Sequence, residues 1–121
     1  MSKTILIIED SKTEMEEIKS FLKIFDVTLL EAFNGKEGKN TAIEKHPDLI
    51  LLDVILPDID GFNIARELKK DDETKNIPII FVTSKGEDVD KFWGKKIGGA
   101  AYITKPVNKE LLLAEVKKII G

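Results

Sequence analysis

The sequence predicts an α/β domain with a doubly wound parallel sheet and helices on both faces, and three observations predict it. Apolar runs and helix-patterned runs alternate five times along the chain. Three of the apolar runs are continuous, the pattern of strands covered on both faces. Each of these three stops at polar groups: Glu9-Asp10, Asp53, and Thr83-Ser84. Such alternation implies right-handed crossovers between parallel strands.

In chain order, residues 4–8 form the first strand and 27–30 a shorter, more mixed second one. The continuous runs at 48–52 and 78–82 supply the third and fourth, and 101–104 a mixed fifth. The first helix carries Met15, Ile18, Leu22 and Phe25 at helical spacing, and Ser11-Lys12-Thr13-Glu14 reads as a capping box at its start. The second, over 35–45, is the weakest: Gly35, Gly38 and Asn40 interrupt a stripe reduced to Ala42 and Ile43, so it is expected to form but fray. Ile64, Ala65 and Leu68 after Gly61 make the third stripe. Val89, Phe92, Trp93 and Ile97 after Gly86 make the fourth, with Val89, Phe92 and Ile97 expected to face inward and Trp93 to be core or partly core. Leu112, Val116 and Ile119 follow the candidate cap Asn108. Five βα units match the flavodoxin-like strand order 2-1-3-4-5, whose crevice lies at the carboxyl ends of strands 1 and 3. The polar punctuation falls there.

Composition narrows the function. At 121 residues with 42% apolar content, the chain suffices for one domain, drawn here as 1–121. Without cysteine there are no disulfides, thiolate metal sites or cysteine nucleophiles, and the lone His46 rules out chemistry needing two histidines. A net charge of −3 and a pI near 5.3 leave no basic footprint for nucleic acid. No run approaches the roughly 18 apolar residues of a membrane span. Met1-Ser2-Lys3-Thr4 leads straight into a strand, which argues against a signal peptide and for a cytoplasmic location.

If the topology holds, the strand ends gather Glu9, Asp10, Asp53, Thr83 and Lys105 in one shallow pocket. Clustered carboxylates repel one another and need a cation. Oxygen donors without His or Cys select a hard divalent ion, with Mg²⁺ the most available. A carboxylate beside Mg²⁺, an ammonium and a hydroxyl suits phosphoryl transfer, with the carboxylate as nucleophile. Each feature alone has a bland explanation. Glu9-Asp10 suits a helix N-terminus, Asp53 a solvated turn, Thr83-Ser84 a cap and Lys105-Pro106 a surface turn. It is their joint appearance at successive strand ends that carries the chemistry.

Asp53-Val54-Ile55-Leu56-Pro57-Asp58-Ile59-Asp60-Gly61, with Glu9-Asp10 before it and Thr83 and Lys105-Pro106 after it, closely resembles the receiver domain of two-component response regulators, and the resemblance covers the whole chain. It implies a phosphoacceptor role for Asp53, fed by the phosphohistidine of a sensor histidine kinase. It implies Mg²⁺ ligation by Asp10, Asp53 and the backbone carbonyl of Ile55, with Glu9 acting mainly through water. It implies that Lys105 pairs with the phosphoryl group through a chain made cis at Pro106. Thr83 and Tyr102 would form the switch, the hydroxyl drawn to the phosphoryl group and the ring turning inward. Asp10-Ser11-Lys12-Thr13-Glu14 and the stretch from Asp90 through Trp93 to Val107 resemble a narrower group, the PilH-type regulators of chemosensory systems controlling twitching motility and phototaxis.

The resemblance implies a signalling protein rather than a metabolic enzyme, acting through the face of the fourth helix, fifth strand and fifth helix on a downstream protein. It allows a monomer or a phosphorylation-dependent dimer. Regulators with an output domain need chain beyond the fifth helix, and this sequence stops at Gly121. Glu9 stands where many receivers carry aspartate, and Ala101 where many are acidic. Ile55 and Lys85 sit where side chains flank the attacking water, and Ile55 cannot orient water, so a long phosphoryl lifetime is expected. The alternative is a pseudo-receiver, a binding module that works without phosphorylation. Three enzymes of related fold fail at named positions. A flavodoxin needs a phosphate loop where Glu9-Asp10 stand. A haloacid dehalogenase-type phosphatase needs aspartate at Ile55. A Toprim-like nuclease needs a strand-terminal Asp-x-Asp.

Four features remain. His46, before Pro47 at a helix end, reads as a surface residue. Asp58 and Asp60 read as solvated loop carboxylates rather than a second metal site. Lys91, Lys95 and Lys96 read as a solvated basic face. Trp93 has a partner-binding anchor as its alternative role.

Overall fold

The computed structural model describes residues 2–121. The elements alternate as β1 (Lys3–Ile8), α1 (Lys12–Leu22), β2 (Val27–Ala32), α2 (Gly35–Lys45), β3 (Leu49–Leu52), α3 (Gly61–Lys70), β4 (Ile79–Thr83), α4 (Asp88–Ile97), β5 (Ala101–Thr104) and α5 (Lys109–Ile120). The strands form one parallel sheet in the order β2-β1-β3-β4-β5, the fold class read from the sequence. Boundaries move by a residue or two. β2 runs on to Ala32 because it pairs with β1 along its whole length, from Lys3↔Val27 to Ile8↔Ala32. β3 starts one residue late because the carboxylate of Asp48 turns back to accept the Thr4 N–H at 2.8 Å.

Side chains alternate across each strand, so every buried strand feeds two cores. Ile5, Ile7, Leu49, Leu51, Ile80, Val82 and Ile103 face Met15, Ile18 and Leu22 of α1 and Leu112 and Val116 of α5. Leu6, Ile8, Ile50, Leu52, Ile79 and Phe81 face Ala42 of α2 and Ile64, Ala65 and Leu68 of α3. That is why the sequence showed continuous apolar runs rather than alternation.

α2 forms over the expected 35–45, whereas α4 departs from expectation. The expected fraying of α2 finds no support in its ends, both of which are tied. Asn34 accepts the Glu37 N–H at 2.8 Å, and His46 adopts a left-handed φ of 47° while its N–H bonds to the Ala42 carbonyl. Its glycines are contacts rather than gaps: a Cβ on Gly38 would lie 2.5–2.9 Å from three side-chain atoms of Ile8. In α4 the expected inward stripe is wrong. Val89, Phe92 and Trp93 are 58%, 57% and 42% exposed, and Ile97 is only partly buried. Gly94 is the buried residue of this helix, because a Cβ there would meet the Tyr102 ring at 2.7 Å and Phe81 at 3.3 Å. Those rings already fill the sheet side, so the apolar residues of α4 turn outward.

His46 is exposed as expected, with Nε2 3.2 Å from Glu73. No described helix is long and apolar enough to cross a membrane.

Gly38→Ala tests the close approach of α2. Alanine gains about 1 kcal/mol of helix propensity, but overpacking costs about 1–3 kcal/mol. The urea midpoint is therefore expected to fall, whereas relief of an entropic defect would raise it.

Candidate functional site

The carboxyl ends of β1, β3 and β5 converge on one ammonium. Glu9 leaves β1 with its backbone N–H on the Ala32 carbonyl. Its carboxylate is buried, one oxygen receiving the Ser11 N–H at 2.9 Å and the other 2.5 Å from Lys105 Nζ. Asp53 leaves β3 with its N–H on the Ile8 carbonyl. Its Oδ1 accepts the Ile55 N–H at 3.0 Å, and its Oδ2 accepts from Lys105 at 2.8 Å. Lys105 follows β5, its backbone anchored to the Thr83 carbonyl and its bond to Pro106 cis. Asp10 stands exposed at the rim, and Glu9, Asp10 and Asp53 each offer an oxygen within 4.8 Å of the others.

Thr83 is fully buried at the end of β4, its hydroxyl accepting the Lys85 N–H at 3.3 Å. The half-buried Tyr102 donates its hydroxyl to the Lys85 carbonyl at 2.5 Å, with its ring centroid 5.7 Å from that of Phe81. Burial, and then the charges of Asp90 and Asp53, push the Tyr102 phenol up to about 12. Both expected switch residues therefore touch one segment, at Lys85.

Sequence reasoning missed the roles of four residues. Glu14 was read as half of a capping box, and only the other half forms: Ser11 Oγ accepts the Glu14 N–H at 3.2 Å. The Ser11 N–H is taken by Glu9, which frees the Glu14 carboxylate to bond Lys105 at 2.9 Å. Its place one helical turn after Asp10 was the available signal. Gly61 was quoted without a role, yet a Cβ there would stand 2.2 Å from the Asp53 carbonyl oxygen, so α3 can start under this loop only at glycine. Asp58 and Asp60 are helix caps rather than free loop carboxylates. Asp58 accepts from Gly35 and Lys36 at the start of α2, and those bonds hold its carboxyl below the usual range. Asp60 accepts the Phe62 N–H at 2.7 Å.

The charge balance explains the remaining electrostatics. Burial lifts the Glu9 carboxyl to about 7, with the Asp53 charge adding to the rise and the bonds from Lys105 and Ser11 opposing it. Burial works to lower Lys105, but its bonds to Asp53, Glu9 and Glu14 outweigh that and hold the ammonium well above the usual lysine range. One fixed cation thus bonds three carboxylates, and Asp10 adds a fourth negative group near Glu9 and Asp53. An oxygen-only donor set short of positive charge fits a hard divalent ion at Glu9, Asp10 and Asp53.

Residues 5–117 match the response regulator receiver domain. The chain belongs to that family. Among relatives of the receiver, Protein PilH of Pseudomonas aeruginosa is 41% identical over 117 residues, covering 97% of each chain. The phosphate regulon transcriptional regulatory protein PhoB of the same organism is 40% identical over 99% of this chain, which spans about half, 52%, of PhoB. A putative response regulator from Chloroflexus aurantiacus superposes with a TM-score of 0.93 at 29% identity, covering 99% of this receiver and 98% of that chain.

Glu9 gives the receiver a pH signature in chelator-treated buffer. Its folded pKa of about 7 exceeds the model-peptide value of 4.5, so the folded state holds the extra proton. Stability from this group is complete below about 4.5 and is lost as pH rises through 7. The loss is about 1–2 kcal/mol after solvent screening. Urea titrations at several pH values are expected to show that decline, and Glu9→Gln to flatten it.

Proposed function

We propose that the protein is a phosphorylatable switch: Asp53 accepts a phosphoryl group from the phosphohistidine of a sensor histidine kinase in a Mg²⁺-dependent reaction. The observation that carries this reading is the Lys105 ammonium bonded to Asp53 at 2.8 Å amid carboxylates from two other elements. An oxygen of Asp53 attacks phosphorus, and the P–O bond forms as the P–N bond to the histidine breaks. The electron pair leaves with the imidazole, and an acyl phosphate remains on Asp53. Glu9, Asp10, Asp53 and the Ile55 carbonyl would hold Mg²⁺, which when bound supplies charge neutralisation for the phosphoryl oxygens. Lys105 turns from its carboxylate partners to pair with the new anion, and the Thr83 hydroxyl donates to it.

The receiver is not a metabolic enzyme in this reading. It catalyses only its own phosphorylation and, through attack of water on the acyl phosphate, its own reset. As Thr83 moves toward the phosphoryl group, Tyr102 turns inward, and the face of α4, β5 and α5 changes affinity for a downstream protein. Turning a mostly inactive population mostly active needs roughly 3–5 kcal/mol of differential stabilisation, a scale that new charge-assisted bonds can supply. The similarity to PilH supports membership of the PilH-type chemosensory group that controls twitching motility, and with it a cytoplasmic location and no nucleic-acid partner. Monomer and phosphorylation-dependent dimer are both compatible with it.

Incubation with acetyl phosphate followed by intact-mass spectrometry tests the transfer. One added phosphoryl group is expected with Mg²⁺, and none after chelation or in Asp53→Asn. Absence of uptake from both acetyl phosphate and a kinase would favour the phosphorylation-independent binding module. A second measurement addresses the reset. Ile55 is 50% exposed and offers no polar side chain to water, so Ile55→Asn is expected to speed phosphate release. An unchanged or slower rate would remove the role assigned to this position.

A further inference from the structure

α3 and α4 leave between them an open groove of about 310 Å³ lined by Arg66, Lys69, Lys70, Trp93, Lys96 and Ile97. Its charge runs against that of the molecule, which carries −3 overall. Among the described residues none of these four cations forms an ion pair. Arg66 donates to Asn63 at 2.7 Å, and Lys69 reaches the Ile77 carbonyl at 3.2 Å. Burial without a counter-charge holds the Lys69 ammonium below the usual lysine range. Of the acidic residues on the same helices, Glu67 pairs with Lys39 at 2.6 Å, Asp90 accepts the Glu87 N–H in the α4 cap, and Asp88 stands at the opposite end of α4 from Lys96. The apolar floor is Trp93 and Ile97. Trp93 is edged by the Phe92 ring at 5.5 Å, and Lys96 Nζ lies 5.8 Å from the centre of that ring.

We propose that this α3–α4 groove docks an acidic segment of a partner protein, one apolar side chain seated on Trp93 and Ile97 and its carboxylates over Arg66, Lys70 and Lys96. Charge complementarity selects the occupant, since uncompensated cations around an apolar floor favour an amphipathic acidic chain. The groove is open to solvent, whereas small-molecule sites enclose most of their ligand. Tryptophan and arginine are also the side chains that most often anchor protein contacts. The site is separate from Asp53 and from the α4–β5 side, where Lys91, Lys95 and Tyr102 line another groove.

The probe is a fluorescein-labelled synthetic helical peptide with Leu along one face and Glu flanking it, compared with a counterpart carrying Lys for every Glu. Trp93 is the single tryptophan and reports directly through its emission. The Glu peptide is expected to bind and shift that emission to the blue. Lys70→Glu/Lys96→Glu is expected to weaken binding by roughly tenfold, while Lys91→Glu/Lys95→Glu binds as the parent does. Arg66→Gln provides a second loss if the double variant is unstable by urea titration. No binding, equal binding of the Lys peptide, or an equal loss in Lys91→Glu/Lys95→Glu would overturn the proposal. Complete displacement by inorganic tripolyphosphate at matched ionic strength would also overturn it, by making the groove a small-anion site.

Discussion

The ammonium of Lys105 is bonded at once to Glu9 and Glu14 of the β1–α1 unit and to Asp53 at the end of β3. Glu9 and Asp53, both buried, would repel each other and lose hydration together, and leaving such a group uncompensated costs about 3–5 kcal/mol. The parallel sheet makes the arrangement possible. Because β1, β3 and β5 run in one direction, their carboxyl ends open on the same edge, and anchoring Lys105 to the Thr83 carbonyl aims its stem back across β4. Antiparallel pairing anywhere in this set would send one of these groups to the opposite edge.

That geometry sets a demand on the interior. Strands that deliver polar groups at their tips must be apolar along both faces. The alternation of Ile5 and Ile7 with Leu6 and Ile8 divides β1 evenly between the two cores. The helices are then held at close range, and at Gly38, Gly61 and Gly94 the approach is too tight for any side chain. Glycine here is a packing residue, and its cost in helix propensity is offset by proximity.

Much of this was legible in the sequence, and for a physical reason. Continuous apolar runs report burial on two faces, and a polar residue ending such a run can stand only at a strand tip. The architecture and the gathering of Glu9, Asp10, Asp53 and Lys105 follow from those two signals. The errors share a cause as well. In α4 a stripe at helical spacing marks a face without saying which way it points, and Phe81 and Tyr102 had already filled the sheet side. In α2 the glycines look like weakness until Ile8 is placed against them. Glu14 satisfied a local rule while its actual partner lay 91 residues away. Local patterns predict elements well, but they do not report which long-range partner wins a shared group.

The loop after Asp53 is fastened at every turn: Asp58 to the start of α2, Asp60 to Phe62, and the Gly61 N–H to the Val54 carbonyl at 2.8 Å. The segment after Thr83 is held more lightly, by the Lys85 contacts of Thr83 and Tyr102 and then by the α4 cap. The molecule is therefore mechanically lopsided around its acidic centre. On the proposed reading, a push originating at Asp53 would meet more tethers toward α2 and α3 than toward α4. The direction of the proposed response would then follow from where the chain is tied down and where it is left loose.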